Sequence, residues 1–175
     1  MCGDNTEEIF PVVDEDGIEI STALRSVCHN GRSKLLHPVV HLHLFNDKGE
    51  LFLQKRSVTK DLLPGKWDTS VGGHIKPGES VEDALKRETE EELGLNSLEF
   101  ILLGKYIWES NREREFVYSF KGRSKGSIKI NMNEIDDGRF WKIDKIKANT
   151  GKDIFTPNFE HEFEVILKGS LTATE

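Results

Sequence analysis

Cysteine is scarce: the 175 residues include two, Cys2 and Cys28. Two cysteines make no disulfide framework, so the expectation is a reduced, cytoplasmic protein in which neither thiol is a nucleophile. No apolar run approaches the ~20 residues needed to cross a bilayer. The opening "MCGDNTEEIF" is acidic and lacks the hydrophobic core of a secretory signal. No long basic tract is present and the net charge is −7, which excludes a general nucleic-acid-binding surface. Repeats and low-complexity linkers are also missing. With 36% hydrophobic residues the chain can still build one globular domain with a core.

What is present reads as strands interrupted by one helix and closed by another. "IFPVVDEDGIEISTAL" predicts two strands around Asp16-Gly17, and "HPVVHLHLFNDKGELFLQKR" a second pair around Asp47 to Gly49. In the latter, Val39, His41 and His43 share one face, and Val40, Leu42 and Leu44 the other. A Pro64-Gly65 loop leads to a short strand in "TSVGG", and "LEFILLGKYIW", "EREFVYSFKG" and "GRFWKI" are three further strand candidates. Two helices are expected. One starts with Ser80 as N-cap and stops at Gly94. The other, "TPNFEHEFEVILKG", has Thr156 as N-cap, Pro157 at its first position and Gly169 after it. The fold class predicted is α+β, a mixed β-sheet between helices. The division predicted is an N-terminal extension with a β-hairpin (1–35), one domain (36–168) and a tail (169–175). The hairpin either covers the core or forms a homodimer interface.

The first helix carries the chemistry. At about 100° per residue, Val81, Ala84 and Leu85 cluster on one side, and Glu88, Glu91 and Glu92 continue that stripe. A plain solvated acid cluster would face water; these acids stand where an amphipathic helix places Leu or Val. Three half-buried carboxylates call for cations, and an oxygen-only ligand set suits Mg²⁺ or Mn²⁺. Arg87 is spaced to pair with Glu79 and hold the preceding loop onto the helix.

The stretch from Gly73 to Leu95 resembles the signature of the Nudix hydrolases, G-x5-E-x7-R-E-U-x-E-E-x-G-U with U aliphatic. Gly73, Glu79, Arg87-Glu88, Glu91-Glu92 and Gly94-Leu95 occupy its fixed positions, and Thr89 departs from it at one aliphatic site. The resemblance implies an α/β/α sandwich from about His37 to Phe163. It also implies Mg²⁺- or Mn²⁺-dependent hydrolysis of a nucleoside diphosphate linked to another group, a small-molecule diphosphate substrate. Glu88, Glu91 and Glu92 would be metal ligands, with the Gly73 carbonyl as an extra one. Glu91, Glu92, Glu115 and Arg87 form the candidate catalytic set, Glu91 and Glu115 being alternative general bases. Glu115 also reads as an ordinary strand-edge charge.

"LFLQKRSVTKDLLPGKW" and "SVGGH" are also similar to the isopentenyl-diphosphate isomerase branch of the superfamily. There an Arg and a Lys spaced as Arg56 and Lys60 hold the diphosphate; both also read as merely solvated. Those isomerases bind one metal through three His and two Glu. By position His29, His37, His74, Glu113 and Glu115 correspond, with the His29 to His37 interval one residue off. The isomerase cysteine is replaced by Gly72, which cannot move protons at an allylic carbon. The expectation is therefore an isomerase-like hydrolase, with an isomerase and a non-catalytic nucleotide sensor as rivals.

Overall fold

A computed structural model describes residues 7–60, 62–123 and 125–167. Cys2, Gly169 and the 169–175 tail lie outside the described residues. The predicted N-terminal hairpin is β1 (Ile9–Val13) paired antiparallel with β2 (Glu19–Leu24). Its turn is tied by Asp14, whose Oδ1 accepts from the amides of Asp16 (3.0 Å) and Ile18 (2.9 Å). A one-turn helix α1 (Arg25–Cys28) follows and ends on buried Cys28. Burial pushes that thiol up to about 11, which makes it inert, as expected.

Next come β3 (Leu36–Leu44), β4 (Leu51–Arg56), β5 (Trp67–Asp68) and β6 (Val71–His74). The long helix α2 spans Val81–Leu93, and β7 (Glu99–Glu109), β8 (Arg114–Arg123) and β9 (Ile135–Trp141) succeed it. The larger sheet is mixed, in the order β6-β3-β8-β7, with β3 and β8 parallel and the other neighbours antiparallel. A smaller sheet has the order β5-β4-β9.

All nine residues of β3 are buried, because the strand is covered on both faces. Val40, Leu42 and Leu44 pack with Ala84, Leu85 and Leu93 of α2. The opposite face carries His41 and His43 toward α4 (Pro157–Glu162), which continues as a π-helical turn over Phe163–Leu167. Phe159 and Phe163 of this segment anchor a second cluster with Leu51, Leu53 and Trp67. This is the α+β arrangement anticipated, a mixed sheet between helices. A helix not anticipated, α3 (Ile143–Asn149), buries only Ile146, too little apolar content to register as a stripe.

The extension is not a separate body. Val13 packs with Leu36 and Phe116, and the Phe10 ring stacks on His74 at 4.0 Å and 9°. The hairpin thus packs onto the core.

Candidate active site

The acid-bearing helix is capped as its sequence demands. Ser80 Oγ accepts from the Asp83 amide at 3.1 Å, and Gly94 adopts a left-handed φ of 64° that ends the helix. Thr89 is buried and donates its hydroxyl to the Leu85 carbonyl at 2.6 Å, so the departure from the aliphatic pattern alters packing and leaves the acids in place.

The three acids are not equivalent. Glu92 is 7% exposed; its Oε2 accepts from Gln54 Nε2 (3.1 Å) and from the Gly72 amide (3.3 Å), both neutral donors. Glu88 is half-buried and its Oε1 lies 2.6 Å from Arg87 Nη1. Its approach to the sheet is possible only because residue 73 is glycine: a Cβ there would sit 2.1 Å from the Glu88 carboxyl carbon. Glu91 corrects the expectation of three half-buried carboxylates. Its side chain is 51% exposed, 3.3 Å from Arg87, because the buried face of α2 is carried by Ala84, Leu85, Thr89, Glu92 and Leu93 and Glu91 falls outside it. Burial raises Glu88 to about 7 against the pull of Arg87, and burial with Glu88 and Glu134 nearby raises Glu92 well above the carboxylate range. A divalent cation placed among them would oppose that shift and favour the ionised carboxylates. Gln54 and Glu134 escaped sequence reasoning; β4 and the turn before β9 deliver them through tertiary pairing.

Arg87 meets Glu79 as predicted, through Nε–Oε1 (2.7 Å) and Nη2–Oε2 (2.8 Å), and Nη2 also donates to the His74 carbonyl at 3.0 Å. This fork joins the loop, the helix and β6. Arg87 does not line the cavity described next.

A cavity of about 260 Å³ has Arg25, Arg56 and Arg112 among its walls; Glu88, Glu91 and Glu92 do not line it, but Gln54, Gly72 and Gly73, which adjoin Glu92 and Glu88, do. Arg56 pairs with Asp68 at 3.3 Å; Lys60 is not on the cavity wall and pairs with Glu134 at 3.4 Å. Glu115 lines the cavity from β8, a strand flanked by β3 and β7, so the strand-edge reading of it is wrong. Burial, with Glu113 adjacent, pushes Glu115 up to about 8.

His29, His37 and His74 bring ligand nitrogens within 4.8 Å of one another, and His37, Glu113 and Glu115 form an overlapping set within the same distance. The five residues named by position thus converge despite the shifted interval. Burial lowers His37 to about 4 and His74 well below its ordinary value, keeping both neutral. The buried Nε2 atoms of His37 and His74 have no hydrogen-bond partner among the described residues. Neutral imidazoles beside carboxylates are a donor set that suits a divalent cation.

The segment "FTPNFEHEF" supplies the remaining wall. Thr156 donates to Asp68 Oδ1 (2.8 Å), and Asn158 donates to Glu115 Oε2 (2.9 Å) while accepting from Tyr106 (2.8 Å). Glu162 reaches His41 and His43 of β3. Glu160 accepts from the Gly151 amide at 2.9 Å, and His161 packs against Tyr106 and Trp108. Trp108 is on the cavity wall, whereas Trp67 is core, edge-on to Trp141.

Comparison with known proteins adds four likenesses. The family model described as the NUDIX domain matches residues 35–159. An isopentenyl-diphosphate Delta-isomerase 2 of Photorhabdus laumondii is 30% identical over 160 residues, covering 88% of this chain and 89% of that protein. An uncharacterized Nudix hydrolase of Yersinia pestis is 30% identical over 151 residues, covering 86% and 81%. A crystal structure of a Deinococcus radiodurans protein superposes with a TM-score of 0.75 at 26% identity, covering 88% of this chain and 96% of that one.

Proposed function

The chain belongs to the NUDIX domain family, and we propose that it is a Mg²⁺-dependent hydrolase that cleaves the diphosphate linkage of a nucleoside-diphosphate-type or related small molecule. The observation that carries this reading is the pair of buried Glu92 and half-buried Glu88. Glu92 is held by neutral donors, and Glu88 fits only because Gly73 bears no side chain. Glu88, Glu91 and Glu92, with the Gly73 carbonyl, are the groups that would hold the ion. When bound, a divalent ion neutralises phosphate charge and acidifies water.

The chain's own residues account for the rest. Arg87 fixes the loop and helix that carry the acids. Arg56, on the cavity wall, would meet a diphosphate oxygen, and Lys60, off that wall, pairs with Glu134. Glu115, inside the cavity and oriented by Asn158, is better placed than exposed Glu91 to take a proton from water. The test is Mg²⁺-dependent phosphate or nucleotide release from a panel of nucleoside diphosphates, nucleotide sugars, dinucleotides and prenyl diphosphates. Glu92→Gln is expected to abolish turnover with the fold intact; full turnover in that variant removes Glu92 from the site.

One observation favours a second reading. The three-histidine cluster beside Glu113 and Glu115 matches the isomerase ligand set, which makes an isopentenyl-diphosphate isomerase the alternative. Gly72 in place of the cysteine opposes it. Deuterium incorporation into isopentenyl diphosphate would decide in its favour.

A further inference from the structure

Glu162 is fully buried on a helix whose neighbouring inward residues are the phenylalanines 159 and 163. Its Oε2 accepts from His41 Nδ1 at 2.7 Å, and its Oε1 lies 2.8 Å from His43 Nε2, outside hydrogen-bond geometry. Apolar residues of similar size would fill this volume at least as stably, so packing alone does not account for the trio. The two histidines differ in one respect. His43 is sealed, at 0% exposure, whereas His41 lines the cavity with a side chain 10% exposed.

Across the strand pair His41 faces Gly72. A Cβ added at Gly72 would meet Thr69 Cγ2 at 3.5 Å, His41 Cδ2 at 3.6 Å and His41 Nε2 at 3.8 Å, all ordinary contacts. Residue 72 therefore leaves a methyl-sized niche that the fold does not require to be empty, floored by the Nε2 edge of His41. The niche adjoins the acid helix, because the Gly72 amide donates to Glu92.

We propose that His41 contacts substrate, its Nε2–H donating to a phosphate oxygen in the niche over Gly72, with Glu162 and His43 holding the ring from behind. This rests on the diphosphate reading above. With Nδ1 committed to Glu162, Nε2 is the nitrogen left for a ligand. Burial works against a charged ring, but Glu162, with Glu115 and Asp68 nearby, outweighs it and keeps His41 protonated up to about 9, so both nitrogens carry protons at neutral pH. A cationic donor beside Arg56 in a cavity open to small molecules suits a phosphate oxygen. His41 makes and breaks no bond in this role; Glu162 is a positioning residue that acts through it.

The probe is imidodiphosphate, a non-hydrolysable diphosphate, titrated with Mg²⁺ into ¹⁵N-histidine-labelled protein. The His41 Nε2 resonance, identified by its loss in His41→Asn, is expected to move on saturation. Affinity is expected to fall about tenfold in His41→Asn and in Glu162→Gln, the loss of one charge-assisted hydrogen bond. Gly72→Ala fills the niche and is expected to weaken binding similarly while melting like wild type; it decides the matter if His41→Asn does not fold. A stationary His41 resonance at saturation, or wild-type affinity in Gly72→Ala, overturns the proposal. A moving resonance in a protein that turns over none of the substrate panel would sink the hydrolase reading and leave His41 as a diphosphate ligand.

Discussion

Two adjacent glycines offer a sharp test, since the same added methyl group meets very different packing at each. At Gly73 a Cβ would lie 2.1 Å from Glu88 Cδ, 2.3 Å from Cγ and 2.4 Å from Oε1. Restoring an ordinary contact of 3.4 Å requires the carboxylate to retreat by ~1.3 Å. Glu88 is a flexible side chain, so the fold should survive Gly73→Ala with an overpacking cost of about 1–3 kcal/mol. A displacement of that size at a reacting site costs about 10²-fold in turnover. At Gly72 the added Cβ finds contacts of 3.5 Å and longer, so Gly72→Ala should melt within about 0.5 kcal/mol of wild type. The assay is thermal denaturation of both variants together with Mg²⁺-dependent release of phosphate or nucleotide. Gly73→Ala with wild-type turnover would refute the assignment of Glu88 to the site, because its carboxylate could not remain where it now lies.

Two further outcomes follow from the geometry. Arg87→Lys replaces a fork making paired bonds to Glu79 and a third to the His74 carbonyl with a single point donor; a loss of about 1–2 kcal/mol in denaturant unfolding is expected, and an unchanged midpoint would reduce the clamp to a surface ion pair. For pH, His41 has a folded-state value raised to about 9 in the field of Glu162, Glu115 and Asp68, with burial opposing. Its stabilising contribution is therefore complete below the ordinary histidine value near 6.5 and lost as pH rises through about 9, on the order of 3 kcal/mol in all. Wild type should lose more stability than Glu162→Gln between pH 6 and 10, and parallel curves would contradict the ion pair.

Which parts of the site were legible in the sequence follows from how far apart the partners lie. The acid stripe, the Ser80 and Gly94 caps and the Arg87–Glu79 pair are local, set by helical spacing, and the sequence displays them directly. The wheel overstated Glu91, since a wheel gives direction but not how deeply a helix sinks into its neighbour. Gln54 meets Glu92 across 38 positions and Glu162 meets His41 across 121, distances over which no periodicity operates. "HPVVHLHLF" shows that His41 and His43 share a face, but only the packing of α4 supplies the carboxylate between them. The histidine–glutamate cluster was visible by analogy of position, and the parallel pairing of β3 with β8, which sets His37 opposite Glu115, supplies its physical cause.

The stacking of Phe10 on His74 bears on how the protein is to be handled. The family match begins at residue 35, yet the ring that roofs the histidine chamber is contributed from residue 10, and His29 from just after α1. A clone trimmed to the matched segment would leave the chamber without the Phe10 ring and short of one imidazole. Its silence in an assay would then speak of the missing roof and not of the enzyme.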